Sequence, residues 1–213
     1  MDDYLSLLPA LLRGLWTTVQ ITVGAALLAV LLAIAAGLAR MSRQPWVSWP
    51  AAVYVEVFRG TSALVQLFWF FFVLPLFGLD LPAMAVGIGV LAANAGAYGA
   101  EVVRGAVRGV AVGQHEAATA LNMAPGQIVR RIVLPQAIPA MLPPAGNIMI
   151  ELLKNTALVS LITITDLTFR GQLLRSDTLR TTDIFILVLL LYFAVAVLIT
   201  GGVRLLERRF KVR

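Results

Sequence analysis

Five stretches without a charged side chain divide the chain. They cover residues 14–39, 60–79, 81–100, 132–150 and 184–203, with lengths of 26, 20, 20, 19 and 20 residues. A helix needs about 20 apolar residues to cross about 30 Å of hydrocarbon. Backbone groups in lipid must be satisfied within their own segment, which points to helices and not open strands. The pattern predicts an all-α integral membrane domain over residues 1–213, with five transmembrane helices at about 17–39, 51–74, 81–103, 140–165 and 184–205. The largest connection is residues 104–139. The chain opens Met1-Asp2-Asp3 with no basic n-region and no Ala-x-Ala site after a short apolar core. The first span is therefore expected to be retained and not removed as a signal peptide.

Composition agrees with the pattern. Apolar residues make up 60% and charged residues 13%, against about 45–50% and about 25% in soluble domains, and the mean hydropathy is +0.88. There is no cysteine and one histidine, His115, which removes disulfide frameworks, iron–sulfur clusters, Cys-based zinc sites and thiol nucleophiles. The net charge of +6 reads as loop charge facing an anionic leaflet and not as a nucleic-acid footprint. With the N-terminus outside, the inner segments hold Arg40, Arg43, Arg104, Arg108, Arg130, Arg131, Arg204, Arg208, Arg209, Lys211 and Arg213. The outer segments hold only Arg13, Arg170, Arg175 and Arg180. The expected orientation is N-terminus out and C-terminus in, with the 104–139 connection inside.

That connection predicts a helix, a sharp turn and a second helix. Glu116 to Leu121 is a run of strong helix formers, and Asn122 can stop it in a left-handed conformation. Pro125 suits the first position of the next helix. Pro135 is expected to end that helix, with Pro139, Pro143 and Pro144 breaking the entrance to the fourth span.

The segment Glu116-Ala117-Ala118, three residues, Asn122, nine residues, Ile132, one residue, Leu134-Pro135 resembles the inner loop of bacterial ABC-importer permeases. That loop is written Glu-Ala-Ala, three residues, Gly, nine residues, Ile, any residue, Leu-Pro. Asn122 replaces the family's glycine and is the next most tolerant residue at positive φ. Ala124 stands where serine is common, which forfeits an N-cap of about 1 kcal/mol. Three further stretches, Tyr54–Thr61 with Leu64-Val65-Gln66, Tyr98–Gly105 and Leu152–Val159, are similar to the polar-amino-acid branch of that family. The wording from Tyr54 to Pro75 is most similar to its ectoine and hydroxyectoine members.

The resemblance implies the type I ABC importer permease fold in a bacterial inner membrane. It also implies a homo- or heterodimer with a second permease subunit, two separate ATPase subunits docked on the inner loop, and an extracytoplasmic solute-binding protein. Glu116, Ala117, Ala118, Asn122, Ile132, Leu134 and Pro135 would then couple the permease to the ATPase. The bland alternative for Glu116 is a cap or ion pair within its own loop. The chain itself has no Gly-x-x-x-x-Gly-Lys phosphate loop, because its only lysines, Lys154 and Lys211, follow Leu153 and Phe210. It is thus expected to be non-catalytic and without cofactor or metal. The His115-Glu116 pair lacks the second histidine of a zinc-protease helix, since Thr119 occupies that position.

Charges inside spans are expensive and are usually paired or functional. Glu56/Arg59, Glu101/Arg104 and Glu151/Lys154 are each three residues apart, on one helical face. One reading is three self-satisfied pairs. The other makes Glu151, Lys154 and Asn155, with Glu56 and Arg59, line a pathway for a zwitterionic solute. Glu151 and Lys154 fall roughly 15–20 Å into the fourth span, counted from Ala140 at about 1.5 Å per residue. Phe68 to Phe72 reads as an interfacial aromatic belt, with a π-surface for a cationic solute as the alternative. Gly96 and Gly99 are candidates for close helix contact. Gly105, Gly109 and Gly113 are expected to bring the loop base close to a neighbouring helix. The rival functional classes are an ion-coupled secondary carrier, which would show an internal repeat not found here, and a structural or sensory membrane protein.

Overall fold

The computed structural model describes residues 2–210, all-helical with short connections. Lys211 and Arg213 of the charge balance lie outside these residues. Helix α1 runs Asp2–Ala39. At about 1.5 Å per residue it is about 57 Å long, well beyond the hydrocarbon thickness. Helix α4 spans Ala83–Arg108 and lies along α1. Ile21, Ala25, Ala29, Ala33 and Ala36 form a buried stripe on α1, and the glycines of both helices bring the backbones together. A Cβ on Gly99 would sit 2.7 Å from Ala33 Cβ, one on Gly96 2.8 Å from Leu32 Cβ, and one on Gly37 2.8 Å from Val103 Cβ. Small residues allow this approach, which is how apolar helices associate where water provides no driving force. Gly96 and Gly99 thus act as expected. Gly105 and Gly113 do not, because a side chain at either would meet open space, and the nearest neighbours of Gly109 are carbonyls of its own preceding turn.

The second span is not one straight helix. Helix α2, Pro45–Gly60, and helix α3, Ala63–Phe68, continued by wider and tighter turns to Phe77, meet at 107°. Thr61 and Ser62 between them are extended. The break is held by polar side chains: Gln66 Nε2 donates to Phe58 O (3.0 Å) and Thr61 Oγ1 (2.7 Å), and Asn94 Nδ2 donates to Phe58 O (2.9 Å). Carbonyls freed at the end of α2 are thereby satisfied inside the protein, the condition for non-helical backbone at membrane depth. Five spans are reached only by counting the bent pair as one. The aromatic run lies beyond the bend, with Phe70 and Phe71 packed against the main core and Phe68, Trp69 and Phe72 exposed.

The fourth span is continuous with the second helix of the loop. Helix α6, Pro125–Ile128, passes through a π turn at Val129–Val133 into helix α7, Leu134–Asn155. Pro135 therefore starts α7 and does not end the loop helix, and Pro139, Pro143 and Pro144 lie inside α7. Prolines are accommodated in membrane helices when local π adjustments and neighbouring helices relieve them. Helix α9 spans Thr181–Phe210.

The expected outer connection between these last spans contains another helix, α8, Leu167–Thr178. Asp166 caps it, accepting from Phe169 N (2.9 Å) and Thr168 N (3.2 Å). Gly14 lets α8 lie on α1, since a Cβ there would be 2.7 Å from Asp166 O. Leu7, Leu11, Leu167, Ile184 and Val188 form the buried cluster that joins α1, α8 and α9.

Candidate coupling loop and transport pathway

Between α4 and α6 lies helix α5, Val112–Ala120. Asn122 has φ 56°, the left-handed conformation expected of it. Asn122 N donates to Thr119 O (2.9 Å) and Met123 N to Ala118 O (3.1 Å), the paired bonds of a Schellman stop. Ala118, Ile128 and Val133 are buried together, with Val107, Val110, Met123 and Ile132 packed around them. The loop is thus a compact unit seated on the end of α4. Ala118 faces inward, whereas Glu116 and Ala117 are exposed. Ile132 and Leu134 are half-buried and Pro135 is exposed. Leu121 is 76% and Val112 71% exposed, so the knob presents apolar side chains beside Glu116. Among the described residues no ion pair involves Glu116. The cap lost at Ala124 is partly replaced, because Gln127 Oε1 accepts from Ala124 N at 3.2 Å, half of a capping box. A glutamine three residues after the cap position was the available signal.

The three intramembrane pairs fare differently. Glu101 does bind Arg104, with Arg104 Nε at 3.1 and 3.2 Å from its two oxygens. Glu56 does not pair with Arg59; it faces Arg40 of the α1 end at 3.4 Å, and the same Arg40 also binds Glu101. The result is a neutral chain, Glu56–Arg40–Glu101–Arg104, joining three elements. Arg59 lies over the Tyr98 ring, 5.3 Å from its centroid.

No ion pair joins Glu151 and Lys154 among the described residues. Glu151 and Asn155 line a small cavity against α4 with Asn94 and Tyr98. Lys154 lines a separate groove facing α9 with Phe185, Leu189 and Phe193. The expectation of one shared face is corrected: three residues along a helix turn the side chain by about 60°, and two different neighbours flank α7. Arg40, Tyr98 and Asn94 were missed in the sequence. In the sequence Arg40 is only a loop charge, and its partners lie 16 and 61 residues away, beyond any spacing rule. Asn94 alone carried a signal, an amide in a run of alanine and glycine.

At the opposite end of the bundle a buried polar cluster fixes α8. Tyr192 Oη donates to Asp166 Oδ2 (3.3 Å), and Leu167 N donates to Thr18 Oγ1 (3.1 Å). Burial pushes the Asp166 carboxyl up, against the opposing effect of its backbone donors.

An all-helical bundle with a helix–turn–helix knob at its arginine-rich end and polar groups in its interior defines a polytopic membrane transport subunit. The chain belongs to the family described as binding-protein-dependent transport system inner membrane component, which it matches over residues 29–212. It is 46% identical over 96% of its length, and 89% of the relative's, to a probable amino-acid ABC transporter permease protein of Sinorhizobium fredii. It is 34% identical to the glutamine transport system permease protein GlnP of Escherichia coli, covering 96% of this chain and 94% of that one. A crystal structure of an amino acid ABC transporter with histidines superposes with a TM-score of 0.90 at 35% identity, covering 97% of each chain. The type I ABC permease fold, a multi-pass place in the inner membrane and the class of amino-acid ABC transporter permease follow. Permeases of this family are normally non-catalytic, and membership implies ATPase and solute-binding-protein partners.

Proposed function

We propose that this chain forms, with a second permease subunit that is identical or homologous, the pathway for a polar amino acid or a related zwitterionic solute. The knob built on Glu116, Ala117, Ala118, Asn122, Ile132, Leu134 and Pro135 docks the ATPase, and movement on ATP binding passes through it into α4 and α7. The N-terminus lies outside and the C-terminus inside, which places the knob and the Arg40 end in the cytoplasm. The observation that carries this reading is the knob itself: a turn closed at Asn122, a buried Ala118 anchor, and a Glu116 in no ion pair among the described residues, flanked by exposed Leu121 and Val112. Such a surface, apolar with a charged rim, suits a protein partner.

Glu151 and Asn155, facing Tyr98 and Asn94 with Arg59 nearby, are the pathway side chains, and Glu56 touches the pathway only through α2. Lys154 faces α9 and is the weaker candidate. The relatives at 30% identity or more include permeases of L-cystine, octopine and glutamine transport systems, which supports the polar amino acid class. The likeness to ectoine permeases rests on Tyr54 to Pro75 alone, and ectoine belongs in the test as one candidate among several.

The test is the reversal Glu116→Lys in the complex reconstituted with its ATPase and binding protein. ATPase co-purification and hydrolysis stimulated by the binding protein loaded with glutamine, cystine, arginine or ectoine are expected to drop, with the permease still inserted. Normal stoichiometry and full stimulation would overturn the docking assignment. Uptake of any of these solutes driven by an ion gradient without ATP would favour the secondary-carrier alternative.

A further inference from the structure

Two helices each carry, three residues apart, a group of the candidate pathway and a group of the charge chain. On α2 these are Arg59 and Glu56; on α4 they are Tyr98 and Glu101. Arg59 and Tyr98 touch, and Glu56 and Glu101 share Arg40. One turn beyond Glu101, Arg104 completes the chain, and α4 ends at Arg108, with three residues between it and α5 of the knob.

The two halves of the chain are built differently. Arg40 and Glu101 are 18% and 19% exposed, Glu101 holds two guanidinium groups, and the helices beneath are pressed together where Gly37 meets Val103. Glu56 is 69% exposed and among the described residues its one ion pair, with Arg40, is at 3.4 Å, on a helix that ends in the extended link Thr61–Ser62. Isolated exposed ion pairs are weak, whereas a shielded, doubly bridged carboxylate held by close packing persists. Extended residues at the end of an element are where hinge motion is absorbed.

We propose that Arg40–Glu56 is a releasable latch on a fixed Arg40–Glu101–Arg104 strut. Closed, as here, it ties α2 to the Arg40 end of α1, beside the Tyr54 Oη–Ala93 O (2.7 Å) and Asn94 Nδ2–Phe58 O (2.9 Å) bonds that seat α2 on α4. It opens during the transport cycle, linking the state of the Arg59–Tyr98 contact to the position of the knob. The inference rests on the pathway and coupling-loop reading above.

The test uses the permease assembled with its ATPase and binding protein in liposomes, with ATP hydrolysis measured without added solute. Glu56→Gln is expected to raise this solute-independent rate by about two- to fivefold, the range an exposed ion pair supplies, with unchanged subunit stoichiometry and melting temperature. Glu56→Asp keeps the charge and stays nearer the wild-type rate. A wild-type rate in Glu56→Gln overturns the latch, as does a lowered melting temperature with hydrolysis unchanged or reduced, the signature of a merely structural pair.

A second readout exploits the absence of cysteine. Ala36 and Val55 share a buried cluster with Ala100, so Ala36→Cys with Val55→Cys reports the seating of α2 on α1. Oxidative cross-linking of this pair is expected to fall when Mg-ATP and vanadate shift the complex to its trapped state; an equal yield overturns the latch. Glu116→Lys run alongside separates the two ideas. Retained ATPase with normal hydrolysis defeats the coupling-loop reading, whereas the cross-link judges the latch.

Discussion

Two side chains decide the local geometry at opposite ends of the bundle. Asn122 sits at φ 56°, where a β-branched residue is strained by about 1–3 kcal/mol and glycine is at ease. Asn122→Gly is expected to transport as wild type, and Asn122→Val to lose uptake at equal membrane abundance; equal uptake by both would show that the turn does not set the knob. Asp166 caps α8 from a buried position. Asp166→Ala is expected to lower stability by about 1 kcal/mol or more, while Asp166→Asn keeps an acceptor without a buried charge and is tolerated. The carboxyl is raised in the folded chain, so it favours folding most below the ordinary carboxylate range and loses that advantage as pH rises toward the raised value. Melting temperature against pH in detergent should show this slope in the wild type and its loss in Asp166→Asn. The Asn122 stop was legible because its partners are within four residues. The setting of Asp166 was not, because Tyr192, which bonds its carboxylate, and Thr18, which accepts from Leu167 N, come from distant helices.

At the scale of elements, α1 and α4 form the frame, and their contact depends on the absence of side chains. Gly99→Leu would drive a side chain into Ala33, already 2.7 Å from an added Cβ. Over-packing of this kind costs about 1–3 kcal/mol, and more where two backbones must separate. Gly105→Leu, with open space around it, serves as the control of equal size. Lower yield and melting temperature are expected for the first and neither for the second. The element-level errors share a cause. The charge-free window 60–79 hid the Gly60-Thr61-Ser62 break, because hydropathy measures what surrounds a segment and not its direction. Pro135 to Pro144 looked like breakers, but proline removes one backbone donor at a time, and the neighbouring helices and the π turn accommodate the loss.

Across the whole molecule, the distribution of charge separates machinery from frame. Glu151 faces α4 with Asn94, Tyr98 and Asn155, and Lys154 faces α9. Glu151→Gln is therefore expected to cut solute uptake by about tenfold or more, as for a lost charge-assisted contact of about 1.5–3 kcal/mol, while ATPase docking persists. Lys154→Met is expected to have a much smaller effect. Equal losses from the two, with rescue in the double variant, would restore the structural pair and remove Glu151 from the pathway.

The sequence by itself determined the helical membrane bundle, the number of apolar segments and the position of the knob, including its left-handed turn. Each of these is a local or periodic property: apolar length against bilayer thickness, a stop signal within four residues of its acceptors, a motif within one connection. The i,i+3 spacing gave the Glu101–Arg104 pair, whereas the tertiary structure alone decided the bend after Gly60, the presence of α8, and which charges meet between helices. Arg40 finds Glu56 and Glu101 across 16 and 61 residues, while Glu151 and Lys154, neighbours on one helix, part to different grooves. Hydropathy fixes which segments enter the membrane, but a charge in the interior takes the partner that packing brings within reach, and packing here is set by where α1 and α4 have no side chains at all.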